Sequence, residues 1–201
     1  MKTDVIRLTG DTNEYMRVLQ EAMKFAAYKE LPNKQALHLR LLTEELIGMM
    51  RSITGEKDGE FWIEDADSVC ELHLKVHTIM NTRKREQLLG AATSGKNESA
   101  KGLMGRLRDV FDRAADEDLL AAGGALTRIA PFEPAGEFSM SWDWSMISYR
   151  EELSKLVSLN DKEAGEMWDE LEKSVVTHVA DDIKVNIRGQ NAEMIIIKKL
   201  A

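Results

Sequence analysis

Residues 35–53 read QALHLRLLTEELIGMMRSI, and this stretch decides the fold. Its apolar residues recur at three- and four-residue steps, which places a wide apolar stripe on one side of an α-helix. Two carboxylates, Glu44 and Glu45, interrupt the stripe. Gly48 follows them without a side chain, so another group can approach the backbone there. This pattern is typical of a helix that lines a binding pocket, although a core helix with a solvated edge gives it as well.

The composition indicates an acidic globular protein of one domain. The chain has 201 residues, a formal net charge of −8, 43% apolar and 31% charged residues, which is enough to bury a core. An acidic surface repels phosphate backbones, so we do not expect nucleic-acid binding. No apolar run approaches the roughly 20 residues of a membrane span and no secretory signal pattern is present, so we expect no membrane association and a cytoplasmic location. The single cysteine, Cys70, is expected to be a packed thiol.

The rest of the chain gives a series of shorter patterns. They predict a strand at 5–8, a helix at 12–28 capped by Asp11 or Thr12, strands at 60–64 and 69–77, a helix at 102–116, an irregular stretch at 119–144, helices at 149–159 and 162–179, and a hairpin at 183–199. His73 and His77 lie on the expected solvent face of one strand, roughly 13 Å apart at about 3.3 Å per residue, which is too far to share a metal ion. A lone hairpin is marginally stable, so we expect the last hairpin to join the sheet that contains the 69–77 strand.

Residues 79–101 pass from a charged half to a small, polar, glycine-bearing half that is typical of a mobile loop. Gly90, Gly95 and Lys96 have the G-x-x-x-x-G-K spacing of a phosphate-binding P-loop. The match fails because Asn97 stands where a serine or threonine should hold magnesium, and because a helical pattern precedes the loop where a buried strand is required. Lys96 and free backbone amides can still hold a phosphate by another geometry.

A glycine-bearing segment, Gly102-Leu103-Met104-Gly105, opens the next predicted helix. Such a segment at a helix N-terminus is a natural anion site, because the first-turn amides point outward and carry the positive end of the helix dipole. Glycine that serves only close packing gives the same pattern, and both alternatives stay open.

The order of these elements, with the residues just quoted, resembles the nucleotide-binding domain of the GHKL superfamily, which includes gyrase, heat-shock chaperone, histidine kinase, anti-sigma and mismatch-repair proteins. The resemblance covers residues 11–200 and makes the whole chain one domain with an insertion at about 119–158. It implies an α+β fold, a Bergerat-like two-layer α/β sandwich in which helices cover one face of a mixed, mainly antiparallel sheet. ATP is then expected between the helices, beneath a flexible lid.

The resemblance also assigns roles to single residues. The family's N box has a glutamate four residues before a magnesium-binding asparagine; Glu45 matches the acid, but Met49 takes the asparagine position, where a thioether ligates a hard cation poorly. The first glycine box has an aspartate that reads the adenine amino group and a glycine, and neither is present here. Thr78 or Asn81 can accept a similar hydrogen bond. The second glycine box resembles residues 102–105.

The expected function is therefore ATP binding, with weak hydrolysis or kinase activity toward a partner protein. Glu45 is the candidate general base that orients water against the γ-phosphate. The candidate nucleotide-binding residues are Glu44, Gly48, Met49, Thr78, Asn81, Gly95, Lys96, Asn97, Gly102, Leu103 and Gly105. No residue is assigned as a metal ligand, and the need for magnesium and the oligomeric state are left open. The alternative, which Met49 and the missing aspartate favour, is a degenerate regulatory or scaffold domain that binds a partner protein and no nucleotide.

Overall fold

A computed structural model describes residues 1–78, 141–188 and 190–200, together with Gly105. The described strands are β1 (Ile6–Thr9), β2 (Asp58–Ala66), β3 (Val69–His77), β4 (Ser141–Ser145), β5 (Asp182–Arg188) and β6 (Asn191–Lys199). The described helices are α1 (Thr12–Tyr28), α2 (Asn33–Thr54), α3 (Met146–Ser158), α4 (Lys162–Glu172) and α5 (Val175–Val179). The predicted α+β class is confirmed.

The six strands form one sheet in the order β1-β2-β3-β6-β5-β4. Every neighbouring pair among them is antiparallel. The C-terminal hairpin of β5 and β6 lies inside this sheet, because β6 pairs with β3 along its whole length and places Ile196 opposite Leu72. The prediction that the hairpin and the 69–77 strand share one sheet is therefore confirmed.

Helix α2 lies over the two central strands, β3 and β6, and its apolar stripe forms the middle of the core. Helix α1 packs beside α2 and against β1, and α5 contacts α2 as well. Alternation along each strand turns one row of side chains toward the helices. The fully buried side chains on the two sides of this interface include Leu39, Leu42, Leu46, Met50, Phe61, Ile63, Leu72, Val185, Met194 and Ile196.

Both long N-terminal helices have boundaries that the sequence explains. The Asp11 side chain accepts a hydrogen bond from the Asn13 amide (2.9 Å) and caps α1, as a short acidic side chain does at this position. Helix α2 ends at Gly55, whose φ of 69° lies in the left-handed region that favours glycine. The Gly55 amide donates to the Arg51 carbonyl (2.9 Å) and satisfies one of the last free carbonyls of the helix.

The predicted boundaries fail in the C-terminal half. The predicted helix at 162–179 is two helices, α4 and α5. Between them, the Thr177 hydroxyl donates to the carbonyls of Leu171 (2.7 Å) and Ser174 (2.8 Å), an alternative to helical pairing that threonine offers. The predicted irregular stretch at 119–144 ends in strand β4, which the sequence analysis missed.

Residues 141–158, at the end of the expected insertion, belong to the sheet and the core. Strand β4 pairs with β5 at the edge of the sheet, and α3 buries Met146, Tyr149 and Leu153. The predicted loop at 79–101 lies outside the described residues. So does the predicted helix at 102–116, apart from Gly105, which is helical.

The carboxylate of Asp182 ties β5 to the start of α3. Asp182 is 5% exposed, and it accepts hydrogen bonds from the Ser145 hydroxyl (3.1 Å), the Ile147 amide (3.1 Å) and the Ile183 amide (2.8 Å). A buried carboxylate is costly unless it is hydrogen-bonded, and the first amides of a helix have no partner within the helix. The Asp182 carboxylate therefore supplies an acceptor to the start of α3, and the donors there stabilise the buried carboxylate.

We expect Asp182→Ala to lower the free energy of unfolding by roughly 2 kcal/mol, because it leaves the Ile147 amide and the Ser145 hydroxyl without their acceptor. Urea denaturation measures the change. Asp143→Ala on β4 is the matched control, because Asp143 is exposed, and we expect a change within about 0.5 kcal/mol. Equal losses in the two variants would show that Asp182 is not a cap.

Candidate functional site

The two central acids of α2, Glu44 and Glu45, point in directions that differ by about 100° around the helix. Glu44 lies on the edge toward α1, where its carboxylate is 3.2 Å from Nε of Arg40. Burial raises the pKa of Tyr15 on α1, and the charge of Glu44 raises it further. Glu45 is half-buried, and of the charges that shift the pKa of Tyr15 its charge has the smallest effect, which is also to raise that pKa. It has no ion-pair or hydrogen-bond partner in the described part of the chain.

Gly48 and Met49, one turn further along α2, face different environments. Gly48 is exposed, and a Cβ placed there would meet no described atom within 4 Å apart from the backbone of its own helix. It therefore leaves open surface and is not needed for close packing. Met49 is 4% exposed and lies in the core. Among the described residues, no group of three or more His, Cys, Asp or Glu side chains could hold a metal ion.

Thr78 directly follows β3 and is 5% exposed. Its amide donates to the Gln190 carbonyl (2.9 Å), which continues the pairing of β3 with the C-terminal hairpin. Its hydroxyl has no hydrogen-bond partner within the described chain. An unpaired buried hydroxyl costs roughly 1–3 kcal/mol, and such groups are rare in folded proteins. Thr78 is therefore a buried polar group whose partner is missing from the described structure.

Thr78 and Glu45 belong to the same side of the sheet. Cys70, Leu72, Leu74 and Val76 face the helices, and Thr78 is the next residue in that alternating row. The end of β3 lies beside the start of β2, which follows the C-terminus of α2. Glu45 lies roughly 14 Å before that terminus at about 1.5 Å per residue.

The remaining predicted ligand residues lie almost entirely outside the described structure. Asn81, Gly95, Lys96, Asn97, Gly102 and Leu103 are not among the described residues. Gly105 is described, and it is helical and buried. The described structure thus brings Glu45 and Thr78 to one side of the sheet and turns Glu44 toward α1.

The prediction that His73 is exposed to solvent is wrong, because this residue is buried. His77 is exposed, as predicted. His73 lies on the face away from the helices but is 6% exposed. Its ring stacks on Trp62 of β2, with centroids 4.8 Å apart, and its Nδ1 lies 2.9 Å from Oε1 of Glu193 on β6. Alternation gave the correct face, but the burial comes from neighbouring strands that are distant in sequence.

A second group of charges lies beside this stack. Lys2 places Nζ 4.7 Å from the Trp62 ring centroid and 2.8 Å from Oε1 of Glu64. The same carboxylate accepts from Trp62 Nε1 (2.7 Å), and hydrogen bonding from Lys2 lowers the pKa of Glu64. Lys2, Glu64 and Glu71 also line a cavity of 430 Å³ at the end of the β2–β3 hairpin. Cross-strand pairs of this kind stabilise a sheet, and they account for these contacts.

We expect Glu193→Gln to reduce stability most at neutral pH. The hydrogen bond from His73 lowers the pKa of Glu193 below its ordinary 4.5. A carboxylate whose folded-state pKa is lowered stabilises the fold above its unfolded pKa, and this contribution is lost as the pH falls through the folded value. Guanidinium denaturation at several pH values should therefore show that the free energy of unfolding falls less for the variant than for the wild type as the pH is lowered.

His73→Phe provides the control for this prediction, because phenylalanine keeps a ring beside Trp62 and has no hydrogen-bond donor. In that background, Glu193→Gln should have a much smaller effect, because the hydrogen bond is already gone. The same loss in both backgrounds would show that Glu193 acts without His73.

A pair of threonine substitutions tests whether the Thr78 hydroxyl is unpaired. Thr78→Val should leave the free energy of unfolding unchanged or raise it by up to about 1 kcal/mol, because valine keeps the shape and removes the unsatisfied group. Thr177→Val is the matched control with a paired hydroxyl, and it should lower stability by about 1 kcal/mol. Thermal and urea denaturation of the free protein measure both; a clear loss in Thr78→Val would reveal a partner for its hydroxyl.

Comparison with models of protein families, with curated proteins and with solved structures finds no match for this chain. None of the helices in the described ranges is long and apolar enough to cross a membrane.

Proposed function

We propose that this chain is a nucleotide-binding domain of the GHKL type, which binds ATP between its helices and the helix-facing side of its sheet. The observation that carries the proposal is the buried hydroxyl of Thr78, which lacks a partner in the described chain. Thr78 stands at the strand end where the resemblance expects the residue that reads the adenine amino group. A bound base supplies the missing hydrogen-bond partner.

The positions of the two acids on α2 support Glu45 as the general base. Glu44 is held by Arg40 and faces α1. Glu45 is half-exposed with no ion pair among the described residues, so its carboxylate is available to orient a water molecule. Gly48 leaves room beside it for a phosphate group.

The burial of Met49 bears on the role of metal. Its side chain is part of the core, and a thioether is a poor ligand for a hard cation such as magnesium. We therefore propose that the nucleotide binds with little dependence on magnesium. The phosphates are then held by Lys96 and by backbone amides of residues 102–105, where the resemblance places the second glycine box.

A second candidate function, a scaffold domain that binds a partner protein, is favoured by an apolar patch at the end of α3. Leu156, Val157 and Leu159 are 38%, 37% and 75% exposed. Adjacent exposed apolar side chains are typical of protein interaction sites. This function requires no nucleotide, so nucleotide binding separates the two candidates.

Calorimetric titration with ATP, with and without magnesium, tests the proposed function. We expect binding in the micromolar to millimolar range and less than about a threefold change when magnesium is removed. No binding of ATP, ADP or GTP at millimolar concentration would refute the proposal and leave the scaffold function.

Single-turnover hydrolysis assays test the role of Glu45. Glu45→Gln should lower the hydrolysis rate at least about 100-fold and leave ATP affinity within about threefold, because it removes the base but keeps the shape. Glu44→Gln is the matched control, because Arg40 already holds that carboxylate, and it should leave the rate nearly unchanged. Equal effects would mean that Glu45 is not the base.

A further inference from the structure

We infer that His73 makes a protonation-dependent contact within the sheet: a proton on Nε2 joins the ring to Glu71, and loss of that proton opens the contact while the bond to Glu193 remains. The ring lies on the face of the sheet away from the helices. The contact is therefore independent of the proposed nucleotide site.

Two carboxylates lie at the two ring nitrogens of His73. Nδ1 is 2.9 Å from Oε1 of Glu193 on β6, and Nε2 is 3.3 Å from Oε2 of Glu71, two residues earlier on β3. Nε2 is buried and makes no hydrogen bond within the described chain. The ring is thus hydrogen-bonded at one nitrogen and only close to a carboxylate at the other.

A neutral imidazole cannot pair with both carboxylates. It has one N–H donor and one acceptor nitrogen, whereas an ionised carboxylate only accepts. With the proton on Nδ1, where it pairs with Glu193, the lone pair of Nε2 faces the Glu71 carboxylate and repels it. A second proton turns both nitrogens into donors, so the ring can then bind both acids. The Glu71 side chain is 35% exposed, which leaves it room to turn toward the ring or away from it.

The charge of the ring also reaches β2 through Trp62. The two rings stack with centroids 4.8 Å apart and an angle of 9° between their planes. A protonated imidazole places a cation against the indole, which attracts it. Lys2 Nζ lies 4.7 Å from the centroid of the same indole. Protonation at Nε2 therefore changes the charge beside β2 and the N-terminal segment as well as along β3.

Charges of both signs surround the ring, and they come from each described element that packs beside it. Carboxylates favour the protonated ring, and ammonium groups oppose it. These groups are Glu64 on β2, Glu71 and Lys75 on β3, Glu193 on β6 and Lys2 in the N-terminal segment. The hydrogen bond from His73 lowers the pKa of Glu193 below 4.5. This acceptor is therefore ionised throughout the range in which histidines titrate.

NMR titration of the ¹⁵N-labelled full chain from about pH 5 to 9 tests the inference, because this range includes the charge change of histidine. Nε2 of His73 should pass from an N–H signal to a lone-pair signal as the pH rises, while Nδ1 keeps its proton. His73→Phe assigns the signals, and His77, exposed on the same strand, is the control histidine. The fluorescence difference between the wild type and Trp62→Phe should change with the midpoint of His73.

Glu71→Gln tests the role of the second carboxylate. The glutamine amide has no charge and can donate to a neutral Nε2, so the His73 midpoint should fall by about one pH unit or more. Glu60→Gln is the matched control on β2. Glu60 lies opposite Lys75, and its substitution should move the midpoint far less.

Three results would overturn the inference. They are a ring that keeps one protonation state over the whole range, loss of the proton from Nδ1 in place of Nε2, and a midpoint that Glu71→Gln leaves unchanged. The wild-type titration decides the matter even if a variant does not fold. Because no nucleotide is present in this experiment, its outcome is separate from that of the proposed function.

Discussion

The burial of the α2 stripe against strands β3 and β6 is the constraint on which the other elements depend. These two strands are separated by more than a hundred residues in sequence, yet they pair along their whole length at the centre of the sheet. Each presents an alternating apolar row that is exposed to water unless a helix covers it, and α2 covers both rows at once. The outer strands and the flanking helices then extend a core that α2 has already closed.

The opposite face of the sheet is stable without a described helix over it, because its charges alternate in sign across the strands. Arg7 lies opposite Glu60, Glu60 lies opposite Lys75, and Lys75 lies opposite Glu193. Pairs of opposite charge on directly facing residues each contribute a few tenths of a kcal/mol to about 1 kcal/mol. This row crosses four strands, and the register that creates it is the one that turns the apolar rows toward α2.

Sequence patterns located the elements whose signal is local. Helical periodicity gave α1 and α2, and strand alternation gave β3 and the final hairpin, because each pattern reflects burial of one face. Strand β4 was missed because five residues on an edge carry little alternation. The division at Lys173 and Ser174 has no glycine or proline to mark it. The burial of His73 depends on Trp62 and Glu193, which only the sheet register brings together.

The candidate site shows the same division between local and non-local signals. Helical rotation alone separates Glu44 from Glu45, so the sequence predicts that the two side chains point in different directions. The face of Thr78 follows from strand alternation. The missing partner of its hydroxyl does not, because hydrogen-bond satisfaction depends on every group that packs nearby. The loop and glycine-box candidates remain predictions.

Gly48 and Thr78 both reduce stability, and no contact in the described chain offsets that cost. A glycine in the middle of a helix costs roughly 0.5–1 kcal/mol relative to alanine, and the open space at Gly48 would accept an alanine. The unpaired Thr78 hydroxyl costs a comparable amount. Natural proteins break local rules of this kind mainly at functional sites. The exposed side of α2 at Gly48 and the end of β3 at Thr78 are therefore two places where a bound group would offset a cost that the described chain leaves open.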